Sequence, residues 1–250
     1  MITIKNKSVI QKMQRAGFLL SGIFERLESF ICSGLSTGQV DEWFEAQLAE
    51  CNLVSKCKGY MGYKHVSCIS INDEVVHGIP SKKRLIAPGD LVTVDVCASW
   101  NGYCADMARC YIIEPAEDKA VKDFLAVAYS SLNKGIAQAL PGNHLSDISA
   151  AIQQEVERHG YGVVRDFAGH GIGKSMHEDP EVLNYGKPGK GPILRPGMAL
   201  AIEPMITMKK YDVCIMEDGW TVKTVDKSLA AHVEDTIIIT SHGPQIITRR

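Results

Sequence analysis

A chain of 250 residues, 45% hydrophobic and 22% charged, has enough apolar material for a large core and the composition of an ordinary globular protein. Its net charge of −2 gives no basic field to gather phosphates, which argues against nucleic acid as the main partner. No apolar run approaches the roughly 18 residues of a membrane span, and Met1-Ile2-Thr3-Ile4-Lys5 lacks the charged-then-apolar-then-small pattern of a secretory leader.

In chain order, Val9, Met13, Ala16, Leu20, Ile23, Leu27 and Phe30 recur at three- and four-residue steps and predict an amphipathic helix, with Gly34 as its stop. A shorter helix follows over 40–50. Lys82-Lys83-Arg84 is the densest basic run and reads as a solvated loop. Leu91 to Ser99 and Tyr103 to Ile113 read as strands around Asn101-Gly102, the strongest two-residue hairpin signal. The ranges 117–139 and 145–159 repeat the long-then-short helix pair. Leu145, Ile148, Ile152 and Val156 form one stripe there, and Asn143 can cap its start. Residues 187–192, rich in Gly and Pro, read as a surface loop. Met198 to Ile202 is an apolar strand that Pro204 ends. Eight cysteines without a Cys-x-x-Cys pair, and no leader, suggest reduced thiols in a cytoplasmic protein.

The strongest feature is a repeated phrase. Pro88-Gly89 is followed by an apolar strand that ends in Asp95, and Pro196-Gly197 by one that ends in Glu203. Upstream lie His77-Gly78 and His170-Gly171. Downstream, Asp106 and Glu234 each open a further apolar run. Two such halves, each two helices then several strands, predict an α+β fold with a pseudo-two-fold internal repeat. One domain over 1–250 is expected, with halves near 1–114 and 115–250, because neither half holds all the candidate residues. Carboxylates at strand ends of each copy can then converge on one point.

A two-residue loop at Asn101-Gly102 sets Trp100 opposite Tyr103, so Asp95 faces Ala108 and Cys97 faces Asp106. Asp95 and Asp106 become diagonal neighbours on one face, roughly 7 Å apart at the backbone. Two carboxylates so placed repel unless they share a proton or a cation. An exposed pair of surface acids is the alternative, but the run from Leu91 to Cys97 is too apolar for an exposed strand. His170 lies in Gly169-His170-Gly171-Ile172-Gly173, where glycines permit close backbone approach. Carboxylates with one imidazole suit Mn, Fe, Co or Zn in octahedral or five-coordinate geometry more than a closed structural zinc.

These motifs resemble the type I methionine aminopeptidases, the short bacterial form of the pita-bread (creatinase/aminopeptidase) metallopeptidases. The resemblance rests on His77-Gly78-Ile79-Pro80, Gly169-His170-Gly171-Ile172-Gly173, His177-Glu178-Asp179-Pro180, Ile202-Glu203-Pro204-Met205 and Asp218-Gly219-Trp220-Thr221. It spans nearly the whole chain. It implies helices packed on a curved, largely antiparallel sheet. It also implies two divalent metal ions (Co, Mn, Fe or Zn) held by Asp95, Asp106, His170, Glu203 and Glu234. The implied activity is removal of the initiator methionine from nascent chains, at the ribosome, by metal-activated water in a cytoplasmic monomer. Glu203 would move the proton, His177 and His77 would contact the peptide, and Cys57, Tyr60, Tyr63, Cys68 and Trp220 would line the methionine pocket.

Four positions depart from the family pattern. His232 stands where Gln is usual, Asp235 where His is common, Lys64 where a Pro often follows the pocket tyrosine, and Met176 where an aromatic precedes His177. His232 is expected to make metal binding more pH-sensitive below about 6.5. A proline-directed peptidase on the same fold and a non-catalytic binder are the competing readings.

Overall fold

Helix starts follow from local capping chemistry. In the computed structural model, which describes residues 1–115 and 118–250, Asn6 accepts from the Val9 amide at 3.0 Å and opens α1 (Lys7–Phe30). Ser36 and Gln39 form a reciprocal capping box that opens α2 (Thr37–Glu50). Asp118 caps α3 (Lys119–Gln138), and the predicted start at Glu117 lies outside the described residues. The expected Asn143 cap of α4 (Leu145–Glu157) is corrected. The cap residue is His144, whose amide donates to Asp147 Oδ2 at 2.7 Å, while Asn143 turns back to the Gln138 carbonyl.

The first half also holds β1 (Val54–Ser55), β2 (Cys68–Ile71), β3 (Glu74–Val76), β4 (Leu91–Trp100) and β5 (Tyr103–Ile112). The second holds β6 (Gly162–Val163), β7 (Gly169–Gly171), β8 (Glu178–Val182), β9 (Ala199–Ile202) and β10 (Met205–Thr207). It continues with β11 (Val213–Ile215), β12 (Val222–Thr224), β13 (Ala230–His232), β14 (Glu234–Thr240) and β15 (Gly243–Ile246). The main sheet runs β1-β4-β5-β14-β9-β7-β8, with β2 beside β4 and β15 beside β14. Every pairing in it is antiparallel. In this sheet the halves meet where β5 pairs β14, with Glu234 opposite Ala108 and Asp235 opposite Met107.

Strand alternation divides the sheet's side chains between site and core. Val92, Val94 and Val96 pack under α1 and α2 with Leu20, Phe24 and Phe44. Leu200, Ile202, Ile237 and Ile239 pack under α3 and α4 with Phe124, Leu132 and Ile152. Full burial of each such side chain stabilises the fold by about 1.5–3 kcal/mol.

The repeat is a structural one. Ser36 bridges Leu85, and His144 bridges Ile193. The Gly89 amide donates to the Ile113 carbonyl at 2.8 Å, and the Gly197 amide to Ile239 at 2.8 Å. Gly34 donates to Ile86 and Gly142 to Leu194. Helices packed on a curved antiparallel sheet in two matching halves are the pita-bread arrangement the motifs implied. Two loop readings need adjustment or hold. Lys82 and Lys83 are exposed, but Arg84 is half-buried and pairs with buried Glu74; residues 187–191 are exposed as expected. All eight cysteines are free. No helix among the described residues is long and apolar enough to cross a membrane.

Candidate metal centre

The β4–β5 hairpin has the register read from the sequence: Trp100 opposite Tyr103, Asp95 opposite Ala108, Cys97 opposite Asp106. Asn101 and Gly102 both adopt positive φ, 48° and 79°, which the tight turn requires. Asp95 and Asp106 therefore share a face. Glu203 follows β9, and its backbone carbonyl accepts from Asn184 Nδ2 at 2.9 Å. His170 lies mid-β7, paired to Ala201 of β9, and Glu234 opens β14. Asp95, Asp106, His170, Glu203 and Glu234 all line one cavity of about 730 Å³.

Within it, Asp106, His170 and Glu234 each offer a ligand atom, all within 4.8 Å of one another. His170 Nε2 lies 3.5 Å from Glu203 Oε1 and 3.9 Å from Asp106 Oδ2. Its Nδ1 lies 2.9 Å from the Gly171 carbonyl, so the proton sits there and Nε2 presents a lone pair to the carboxylates. Asp95 and Glu203 flank this triple rather than belonging to it.

The electrostatics ask for a cation. Burial first, then the charge of Asp106, pushes Asp95 up to about 8. Burial and the Glu203 charge do the same to Asp106, and burial raises Glu203 to about 8. Glu234 is also raised, by burial and then by Asp106. Among the described residues no lysine or arginine pairs with any of these four. Asp106 Oδ1 and Glu234 Oε1 are buried without a hydrogen-bond partner. Burial holds His170 down at about 4, so it is a neutral imidazole. Clustered buried carboxylates with orphaned oxygens and one lone-pair imidazole fit a divalent metal.

The five predicted pocket residues lie on the same cavity wall. Tyr63 is 5% exposed, lies with its ring tilted 58° and 4.9 Å from that of Trp220, and donates its hydroxyl to the Ser67 carbonyl at 2.9 Å. It is thus core and wall at once. Cys57 and Cys68 are buried, and Tyr60 stands at the rim with its hydroxyl 3.2 Å from His177 Nδ1. His77 takes φ 60° and faces Phe167 at 5.7 Å, and burial lowers it to about 4. Gly78 beside it admits no side chain, since a Cβ would lie 2.2 Å from the Ile69 carbonyl oxygen. Met176 lines the cavity, whereas Lys64 is exposed.

His232 is 2% exposed and both ring nitrogens lack a hydrogen-bond partner. Its Nε2 lies 3.3 Å from Glu203 Oε2 without hydrogen-bond alignment. Burial lowers its pKa, so it stays neutral at neutral pH. Met61, Phe167 and Ile215 also stand on the cavity wall, and Asn184 lies behind Glu203. These positions arrive through tertiary packing, and no local pattern marks them.

Fold and site together define a metallopeptidase of the pita-bread class, a class that uses divalent metal. The chain belongs to metallopeptidase family M24, whose profile matches residues 11–241. It is 47% identical to a methionine aminopeptidase of Clostridium acetobutylicum over 99% of both chains. It is 42% identical to methionine aminopeptidase 1 of Bacillus subtilis over the full length of both. The crystal structure of a Thermotoga maritima methionine aminopeptidase superposes with a TM-score of 0.97 at 42% identity, covering 100% of each chain. A Pyrococcus furiosus prolidase shares the fold with a TM-score of 0.79 at 22% identity, and the chain spans 65% of it.

Proposed function

We propose that this chain is a methionine aminopeptidase that removes the N-terminal methionine from peptides and nascent proteins with two divalent metal ions. The observation that carries the reading is the convergence of Asp106, His170 and Glu234, ligand atoms within 4.8 Å of one another, in a cavity walled by Cys57, Tyr63, Cys68 and Trp220. The full-length relatives named methionine aminopeptidase support the choice of substrate.

Asp95, Asp106, His170, Glu203 and Glu234 would hold the cations, and this donor set suits Co, Mn, Fe or Zn. When bound, such ions supply Lewis acidity and make water a stronger acid. Glu203 does the proton work. Its carboxylate, 3.5 Å from His170 Nε2, accepts a proton from the attacking water and returns it to the leaving amine. His177, steadied by the Tyr60 hydroxyl, donates a hydrogen bond to the scissile carbonyl as charge develops on it. His77, neutral, contacts the second residue or the leaving amine. Sulfur and aromatic faces receive the methionine thioether and exclude water from the reacting carbonyl. Residues 1–250 act as one catalytic domain, a monomer that meets nascent chains at the ribosome. Its free thiols support a cytoplasmic setting.

The test is a panel of Met-Gly-Met-Met, a Met-Pro peptide and an X-Pro peptide, each with metal-stripped protein and added Co²⁺, Mn²⁺ or Fe²⁺. Metal-dependent release of methionine from the first peptide, with none from X-Pro, supports the reading. Release from X-Pro moves the assignment to the proline-directed enzymes of the same fold.

A further inference from the structure

Asp235 follows Glu234 directly but points to the opposite face of β14, and it is fully buried. Its carboxylate is saturated. Oδ1 accepts from Arg109 Nη2 at 2.8 Å and from Thr248 Oγ1 at 2.8 Å. Oδ2 accepts from Arg249 Nε at 2.7 Å, and Arg249 Nη2 lies 2.5 Å away. Arg109 also reaches the backbone, where Nη1 donates to the Glu234 carbonyl at 2.6 Å and to the Ala108 carbonyl at 3.0 Å.

The network continues to the other central carboxylate. Thr248 Oγ1 accepts from the Thr236 amide at 3.2 Å. Thr236 Oγ1 accepts from the Asp106 amide at 2.9 Å and donates to the Asp106 carbonyl at 2.8 Å. The β5–β14 ladder ends at Asp235 opposite Met107. At the next position the Thr236 hydroxyl takes over both hydrogen bonds of the Asp106 peptide group that the ladder would otherwise make. The backbone of Asp106 and the backbone of Glu234 are thus fixed by side chains from behind, through a single connected network.

A buried ionic network of this kind adds little to net stability, because desolvation offsets most of its attraction. Its effect lies in geometry. Asp106 and Glu234 are both buried, with ligand atoms within 4.8 Å of one another, so two like charges would drive them apart unless their backbones are held. We propose that Thr236, Asp235 and Arg249 are positioning residues. They hold the Asp106 and Glu234 backbones so that both carboxylates stand at ligand distance before a cation arrives. This also gives a role to Asp235, where the family commonly has His. The proposal rests on the metal-centre reading above.

The experiment titrates Co²⁺ into metal-free wild type, Thr236→Val, Thr236→Ser and Arg249→Gln, following visible absorption of the bound ion and binding heat. Circular dichroism and thermal unfolding without metal establish that each variant is folded. Thr236→Val keeps the shape but removes the hydroxyl, and its Co²⁺ affinity falls by about 10–100-fold, the range for losing an outer hydrogen-bond partner of a metal ligand. Thr236→Ser restores wild-type affinity, and Arg249→Gln loses affinity in the same direction but by less. Folded Thr236→Val with wild-type affinity overturns the brace, as does Thr236→Ser as weak as Thr236→Val. If Thr236→Val does not fold, Arg249→Gln decides, and unchanged affinity there overturns the brace. A folded wild type that takes up no Co²⁺ overturns the metal-centre reading and the brace with it.

Discussion

His170 Nε2 stands 3.5 Å from Glu203 Oε1, while Nδ1 of the same ring is committed to the Gly171 carbonyl at 2.9 Å. One tautomer and one ring orientation are thereby fixed, and the free lone pair points at a carboxylate that needs a cation. The pair separates two functions. Removing the imidazole should remove metal, whereas neutralising the carboxylate should mainly remove proton transfer.

For His170→Ala, the expected result is a loss of Co²⁺ affinity larger than the about 10–100-fold typical of losing an outer hydrogen-bond partner. For Glu203→Gln, activity should fall by about 10²–10⁴ while most of the metal is retained. Elemental analysis alongside peptide assays checks both. Glu203→Gln with full activity would remove Glu203 from its proton role.

The pH dependence of the metal-free protein follows from the raised carboxyls. Asp95, Asp106 and Glu203 are pushed up to about 8 from ordinary values near 4. The folded state therefore binds more protons than the unfolded state between those limits, and stability falls as pH rises through that window. His77 and His170, held down at about 4, act the other way only below about 6.5. Between about 6.5 and 8, Tm should fall with rising pH in the metal-free wild type and fall less in Asp95→Asn. A divalent cation should abolish the trend, and parallel slopes in wild type and variant would count against this origin.

Trp220 lies 4.9 Å from Tyr63 on the pocket wall. Trp220→Ala should lower kcat/KM for Met-Gly peptides by about 10–200-fold, the scale on which apolar pockets discriminate, with metal content unchanged. Equal losses for methionine and norleucine peptides would show that the wall reads shape. A loss confined to methionine would show that it reads sulfur.

Gly78 and Gly171 hold matching places in the two halves. A Cβ at Gly78 would lie 2.2 Å from the Ile69 carbonyl oxygen, and one at Gly171 2.0 Å from that of Asp179. Each Gly→Ala substitution should destabilise the fold by about 1–3 kcal/mol or more, the cost of overpacking. Urea unfolding measures this, and a neutral result at either position would contradict the close backbone approach.

Much of the fold was legible because its determinants are local. The Asn101-Gly102 turn fixed the β4–β5 register, and hence the shared face of Asp95 and Asp106, without any tertiary information. The Pro-Gly phrase exposed the repeat because the same turn geometry recurs at Gly89 and Gly197, both with positive φ. The α4 start was placed one residue early because its mark is not a Ser, Thr, Asp or Asn cap but Asp147 at the third helical position, whose carboxylate accepts from the His144 amide. Asn184, Phe167 and Thr236 were not legible. Each reaches the site across a tertiary contact, and nothing in its neighbours' periodicity distinguishes it from an ordinary polar or core residue.

The most direct measurement is the mass of a purified reporter protein that begins Met-Gly, after incubation with the metal-stripped chain and again after Co²⁺ is restored. Without metal the mass should stay unchanged; with metal the reporter should lose one methionine residue and nothing further. A folded, metal-loaded protein that leaves the reporter intact, or trims it beyond the first residue, would contradict the proposed function.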